Sequence, residues 1–534
     1  MPLHWRNFIW ALLPLIASGG CLRVDPSNDY GRTTALLRER VGAVDVFDPA
    51  SEPLVEQRVT ALLEGGLTVD EAVQVGLLAN RSFQSLFAEI GASRADVVQS
   101  RLLSNPSLSF SARYPDGGGR SSVMLSFGQE LVDLWQIPVR RKVAEDKLEQ
   151  VVFDVARQGI ELVADIKTKC HRVLGLIQTE ARVVENVALV QRSYGLADAR
   201  FKAGEAGLLD LNLVKSNVLQ AELELIAVRR DRRVAETELA RVLGLARWKT
   251  PWTLTPADPA KSAALGNDDD LLLDAMRQRF DAQAAARGVA AAEGELKRQW
   301  LNIFPKVMIG VEGERMERRA LPDRNIPAAV ARESIRAGAL TAPEIQSRGE
   351  RDQQKRQMID TLIGPSLSIT LPIYDQNQAQ IAKADFAARK IRTEYEALLD
   401  QVAQEVQSAA AMVRAAVQLV DFYERQSLPQ AAQTLDAASL SYEAGEQNVL
   451  ALIEAQTSVI RLQREVILAR RDLAIALAEL ERAVGGRLPV PGDAAHSAIP
   501  GSIVEPANGR SPDAGRAANS AMSPEVLIEQ PARP

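Results

Sequence analysis

One stretch constrains this chain more than any other, because it is written twice. Residues 201–244 read FKAGEAGLLDLNLVKSNVLQAELELIAVRRDRRVAETELARVLG, and residues 442–485 read YEAGEQNVLALIEAQTSVIRLQREVILARRDLAIALAELERAVG. The copies align without a gap at an offset of 241 positions. Phe201 matches Tyr442, Ala203-Gly204-Glu205 matches Ala444-Gly445-Glu446, and Arg229-Arg230-Asp231 matches Arg470-Arg471-Asp472. A repeat of this length makes duplication the frame for everything else.

Each copy reads as a turn followed by a long helix. In the second, Leu452, Val459, Val466, Leu473 and Leu480 recur every seventh residue, with Ala455, Leu462, Ala469, Ala476 and Ala483 three positions later. In the first, Leu211, Val218, Leu225 and Leu239 hold the same places, Arg232 being the exception, and Val214, Ala221, Val228, Ala235 and Val242 follow them. A sustained period of seven with small second positions predicts closely packed antiparallel helices of coiled-coil type. The glycine before each helix suits a left-handed turn residue. Each copy is therefore predicted to be the return limb of a helical hairpin, with Gly204 and Gly445 at the tips.

Composition supports elongated helices over a thick core: aromatic residues are 5% of 534, and the central segments are rich in Ala, Leu, Glu, Gln and Arg. The charges, netting -6, are interspersed and show no basic face for nucleic acid. Two cysteines, Cys21 and Cys170, exclude a disulfide framework. At the start, Arg6 precedes an apolar run from Phe8 to Ala17 that ends in Ser18-Gly19-Gly20-Cys21. That run is shorter than the ~20 apolar residues of a membrane helix and reads as a signal peptide, 1–20. The cysteine after small residues resembles a bacterial lipoprotein cleavage site, which would leave Cys21 as a lipidated N-terminus.

In chain order, 21–66 reads as an irregular lead-in. Thr68 and Glu71 form a capping box that opens a helix predicted to run to Ser104, where Asn105-Pro106 stops it. Leu108, Phe110 and Ala112 then alternate with serines. After the turn Pro115-Asp116-Gly117-Gly118-Gly119, Val123, Leu125 and Phe127 alternate with Ser122, Ser126 and Gly128. Period-two spacing predicts two strands with one greasy face each. Two long helical limbs follow, from Val139 to Gly204 and back to Gly244. A linker, 251–270, separates this first repeat, 67–250, from a second, 271–486. There a helix from Leu271 to Ile303 precedes strands around Val307, Ile309 and Val311 and around Leu367, Ile369, Leu371 and Ile373. An insertion, 314–364, is predicted between them. A helix from Asn377 to Ala444, interrupted near Pro429, leads to the second tip, and a Pro/Gly/Ala-rich tail fills 487–534.

Four strands with one apolar and one hydroxyl-rich face fit the wall of a transmembrane barrel, lipid outside and water inside. Four cannot close, since open edges do not lie in lipid, so several chains must pool their strands. The opening Leu67-Thr68-Val69-Asp70-Glu71-Ala72, the stop Leu103-Ser104-Asn105-Pro106-Ser107-Leu108, the exit Leu371-Pro372-Ile373-Tyr374-Asp375 and the two Phe/Tyr-x-Ala-Gly-Glu tips together resemble the TolC-like outer-membrane efflux protein family, over Leu67 to Gly485. The resemblance implies a mainly α fold with a small transmembrane β-barrel contribution. It further implies a homotrimer with a twelve-stranded barrel above a twelve-helix periplasmic tunnel, in the outer membrane, serving tripartite efflux or type I secretion-type export. It also implies docking of the tips to a periplasmic adaptor protein attached to an inner-membrane pump.

Gly204, Leu208, Leu209, Gly445, Val449 and Leu450 are thus candidate adaptor contacts, and Asp198, Asp210, Asp436 and Glu443 candidate gate residues. Each has a plainer reading: a turn glycine, an apolar staple, or a helix-end charge such as Asp210. Asp133 and Asp375 read as helix caps. Cys170-His171 does not read as a metal site, because adjacent helix residues diverge and the other histidines, His4 and His496, are remote. No cofactor is implied. A periplasmic adaptor lipoprotein would show one hairpin between β-rich flanks, whereas two hairpins are written here. A secreted enzyme would need a nucleophile motif, metal cluster or phosphate loop, and none is present.

Overall fold

The structure, a computed structural model, describes residues 23–42, 44–114, 121–204, 207–248, 251–255, 267–317, 333–338, 359–444, 447 and 449–488. The signal peptide, Cys21, the turn 115–119, most of the linker and insertion, Gly445 and almost all of the tail lie outside these residues, as do the side chains of Glu443 and Val449. The helices are α1 (Ser27–Val41), α2 (Glu52–Leu63), α3 (Val69–Ala79), α4 (Arg81–Ser100), α5 (Asp133–Lys202), α6 (Leu208–Val242), α7 (Asp268–Gln278) and α8 (Phe280–Leu301). They continue with α9 (Gln378–Phe422), α10 (Leu428–Glu443) and α11 (Val449–Val484). The strands are β1 (Ser107–Arg113), β2 (Ser122–Glu130), β3 (Lys306–Glu317) and β4 (Ile359–Thr370). The order of two short helices, two strands and a long hairpin occurs twice.

The lead-in is helical rather than irregular. Val55, Val59 and Leu63, four apart on α2, are buried together. Tyr30 of α1 packs on Phe87, which also meets Phe47 and Phe83 edge-on at 5.4 and 5.5 Å. Arg94 donates to both carboxylate oxygens of buried Asp29 at 2.5 and 2.6 Å. Period-four burial and a paired charge outweigh the scattered Pro and Gly of the segment.

The helix expected over 67–104 is broken at Asn80, and the one expected over 271–303 at Arg279. Both residues are extended, with φ/ψ of -69°/110° and -66°/128°. The Asn80 amide donates to Val242 O at 2.7 Å, and the Arg279 guanidinium to Ala483 O at 3.2 Å. Val242 and Ala483 are equivalent positions in the two repeats. Each break therefore satisfies a carbonyl at the end of its return helix, which would otherwise lack a partner. Gly244 and Gly485 turn the chain just beyond, at φ +76° and +91°. A Cβ on Gly244 would lie 2.4 Å from Ala79 O. The capping box holds as read: Glu71 N donates to Thr68 Oγ1 at 3.2 Å, and Thr68 N to Glu71 Oε2 at 2.8 Å.

Helix α5 has 70 residues, about 105 Å at 1.5 Å per residue. It starts at Asp133, six residues before the predicted start, and carries Pro138 near its beginning. The period of seven is seen in its burial: Val183, Val190 and Ala197 of α5 face Val214, Ala221, Val228 and Ala235 of α6 across the first hairpin. Leu211, Val218 and Leu225 are only half-buried. Helix α6 packs on α5, α5 on α11, and α11 on both α9 and α10. The interruption near Pro429 is a π-helical turn, Tyr423–Ser427, with Pro429 near the start of α10.

The sheet order is β1-β2-β3-β4, antiparallel throughout. β4 ends at Thr370, so Leu371 and Ile373 lie beyond it, before and after Pro372, which has no N–H for a ladder. β3 and β4 stay paired out to Glu317 and Ile359, so the insertion is confined to 318–358.

Gly244→Ala is expected to destabilise the fold by more than about 1 kcal/mol, from left-handed strain plus collision with Ala79 O. Gly204→Ala meets nothing within 4 Å at φ +80° and should show the strain alone. Circular-dichroism melting checks this; a Gly244→Ala protein melting as high as Gly204→Ala would reject the role given to the joint.

Candidate functional site

Two regions stand apart from the packed middle of the protein: the sheet, and the hairpin tips. Register decides what each face of the sheet carries. Leu108 pairs with Phe127, Phe110 with Leu125 and Ala112 with Val123. Phe127 pairs with Val311, Ile309 with Leu367 and Val307 with Ile369. All these side chains share one face, and it is bare: Leu108 is 69% and Phe110 68% exposed, and Ile309, Leu367 and Ile369 are exposed too. An apolar surface of this kind in water is a binding surface or a lipid surface.

The opposite face is hydroxyl-rich. Ser109 and Ser126 share a hydrogen bond of 2.6 Å, and Ser107 Oγ donates to Gly128 O at 3.3 Å. Glu312, opposite Ser126, and Glu314 rise on this face, where Ser122 Oγ donates to Glu314 at 3.2 Å. Neither glutamate was singled out from sequence, although their alternation with Val311 and Gly313 carried the signal. Its basic residues, Arg113 and Lys306, sit at strand ends. Among the described residues β1 and β4 each pair on one side only.

Where strands meet helices, Leu134, Trp300, Phe304, Leu371, Ile373 and Tyr374 are exposed. Asp133, read as a cap of its own helix, instead accepts from Ser104 N at 2.5 Å and pairs with Arg140 at 3.3 Å. Arg140 also donates to Ser100 O and Leu102 O at 2.9 and 2.6 Å. Burial raises the Asp133 carboxyl, but the Ser104 N–H and Arg140 outweigh it and hold the group below the usual carboxylate range. The cluster ties the end of α4 to the start of α5 at the root of the sheet. Asp375 likewise caps no helix directly: it accepts from Asn377 N at 2.9 Å and shapes the turn before α9, Asn377 standing at φ +63°.

At the first tip, Gly204 turns at φ +80° and Leu208 and Leu209 are 60% and 71% exposed. Asp210 accepts from Gly207 N at 3.3 Å, the geometry of a helix start. Asp198 pairs with Lys202 of its own helix at 2.6 Å, which raises the lysine above its ordinary range. At the second tip, Leu450 is exposed. Asp436 is exposed on α10, its backbone carbonyl accepting from Ser439 at 2.9 Å. The structure does not bring Asp198, Asp210 and Asp436 together by any hydrogen bond or ion pair seen among the described residues. It does bring together the tip residue Tyr442 and Arg200, which sequence reasoning did not pair: the Arg200 guanidinium lies 5.1 Å from the centre of the Tyr442 ring.

Cys170 is buried in α5, its thiol pushed up to about 12 by desolvation, and burial lowers His171 beside it. Among the described residues no group of three or more His, Cys, Asp or Glu is placed to hold a metal ion. Nor is any described helix long and apolar enough to cross a membrane.

Cobalt-zinc-cadmium resistance protein CzcC of Cupriavidus metallidurans is 23% identical over 409 residues, which cover 74% of this chain and 85% of that protein. The outer-membrane channel OprN superposes with a TM-score of 0.61 at 17% identity, over 85% of this chain and 95% of that one. The CmeC outer membrane channel of Campylobacter jejuni gives 0.60 at 14% identity, over 80% and 87%. The outer membrane efflux protein family matches residues 72–245 and 271–486, one match per repeat. The chain therefore belongs to the outer membrane efflux protein family, outer-membrane channels of tripartite efflux systems that extend into the periplasm as a helical barrel.

Proposed function

We propose that three copies of this chain close a twelve-stranded barrel and stand their helices together as one tunnel below it. The observation that carries the reading is the open sheet: a wall with a bare apolar face and two unpaired edges, which lipid does not tolerate until the edges are paired. The helical layer supports it. Its flanks, α6 and α9, expose Leu219, Leu223, Ile226 and Val234 on one side and Met412, Leu419 and Phe422 on the other. Different surfaces meeting head to tail form a ring when the rotation closes. The exposed aromatic and aliphatic residues at the strand roots suit the girdle at a membrane boundary.

The chain is a passive conduit in this reading, driven by an inner-membrane pump. A periplasmic adaptor engages the tips through Leu208, Leu209, Leu450 and the neighbouring Gly204, Gly445 and Val449. Opening loosens the hairpins from one another at their lower ends, where Asp198, Asp210, Asp436 and Glu443 lie. Cys21, freed by removal of 1–20, carries the lipid. The boundaries read from sequence, two repeats at 67–250 and 271–486 joined by 251–270, belong to the same proposal.

Light scattering of detergent-solubilised protein should give the mass of three chains, and planar bilayers should show discrete conductance steps; a monomer that makes no pores would reject the channel. Cys21→Ser should lose metabolic acyl labelling, and labelling that persists would remove the anchor. Glu312→Gln with Glu314→Gln, which thins the negative charge of the polar face, should move the reversal potential in a KCl gradient towards zero. A potential equal to wild type would place those carboxylates outside the ion path.

A further inference from the structure

We propose that the tunnel wall just below the sheet carries a transit site for an amphiphilic organic anion, a molecule with an anionic head and a slender apolar body. This rests on the channel reading and names a substrate class for that conduit. Two cavities, of about 410 and 520 Å³, adjoin at Lys147 and Glu295, which line both. The upper one reaches Ser104 at the sheet root and gathers Arg140, Lys147 and Arg298 with Asp96 and Glu295. The lower one is a trough floored by α8, where Ala285, Gly288 and Ala292 keep the floor low, and walled on the α9 side by Ile391, Tyr395 and Leu398. From Ala285 to Glu295 it runs about 15 Å along the helix. Volumes of this size are those of small-molecule sites.

The cavities open on one particular face of the helical layer. On α5 their lining residues Arg140, Ala144 and Lys147 follow a single side of the helix. Arg32 of α1 lies on another side, paired with Glu149 and 5.8 Å from the centre of the Phe153 ring. Those two residues point about 200° and 240° around the helix from Lys147. A chain start anchored in lipid keeps α1 outside the tunnel, so the cavities face the bore. Charge then sets which end of a molecule goes where. Arg140 is committed to Asp133 and to Ser100 O and Leu102 O. Arg298 is committed to Glu295 through hydrogen bonds of 2.6 and 2.8 Å. Burial raises the Glu295 carboxyl, but Arg298 and Gln299 outweigh it and hold the group below the usual carboxylate range, ionised and already answered. Lys147 is exposed, and among the described residues it makes no hydrogen bond or ion pair. Asp96, on α4, lines the upper cavity but not the trough. An uncommitted ammonium at the head of an apolar trough matches an anionic group whose hydrocarbon lies along α8.

The test uses the purified full-length protein in planar bilayers, wild type beside Lys147→Gln, Lys147→Arg and Ala292→Leu. The probes are octanesulfonate, methanesulfonate and octyltrimethylammonium. Gln, Arg and Leu are good helix formers, so α5 and α8 persist. Octanesulfonate should block the wild-type current at a lower concentration than either other probe. Lys147→Gln, which removes the charge, and Ala292→Leu, which fills the trough, should each raise its half-blocking concentration about tenfold, while Lys147→Arg stays within about twofold of wild type. The inference is overturned if Lys147→Gln or Ala292→Leu is half-blocked at the wild-type concentration, or if methanesulfonate or octyltrimethylammonium blocks wild type as well as octanesulfonate does. A wild-type current that octanesulfonate leaves unchanged overturns the site alone; no wild-type current at all overturns the channel reading, and the site with it.

Discussion

Backbone N–H and C=O groups left open at the edge of a sheet must find partners, and in hydrocarbon no water supplies them. That requirement organises this protein. Among the described residues its sheet has four strands, an exposed apolar face and a serine-bearing face opposite it. Alone, among the described residues, it has two open edges. The helical layer below repeats the condition, with apolar side chains exposed on both flanks while its interior seams are buried. Sheet and helices are thus incomplete in the same sense, and identical neighbours would complete both at once.

The two repeats solve one mechanical problem with different residues. A short helix must stop, bend and deliver the chain to a strand while the long return helix ends beside it. In the first repeat Asn80 bends and caps with a neutral amide. In the second, Arg279 bends and reaches the equivalent carbonyl, its charge answered by Asp281 and Glu405 at 2.5 and 2.6 Å. Buried charge needs such answers, so the second joint is the more elaborate. Divergence continues at the lower ends, where α5 is one helix and its counterpart is divided by a π-helical turn. The first hairpin thus descends on one unbroken helix and the second on two helices joined at that turn.

The periods of seven and of two were legible because they are local. Each needs only neighbours along the chain, and the buried heptad of α6 and the alternating faces of all four strands follow from them. The tip glycine Gly204 was legible for the same reason, since a positive φ is a property of one residue. The capping box at Thr68 was another such feature. The helix breaks were not legible: Asn80 bends where it does because Val242 O arrives from 162 positions away. Asp133 looked like a cap and became a cross-element anchor because Ser104 and Arg140 converge on it.

Sequence by itself thus determined the duplication, the hairpins and the two-faced strands, since periodicity is a short-range fact. Tertiary structure alone decided which carboxylates share the hydroxyl-rich face, where the helices bend, and that Arg200 meets Tyr442. Those depend on segments far apart in the chain arriving at one place, and no spacing within either segment records that arrival.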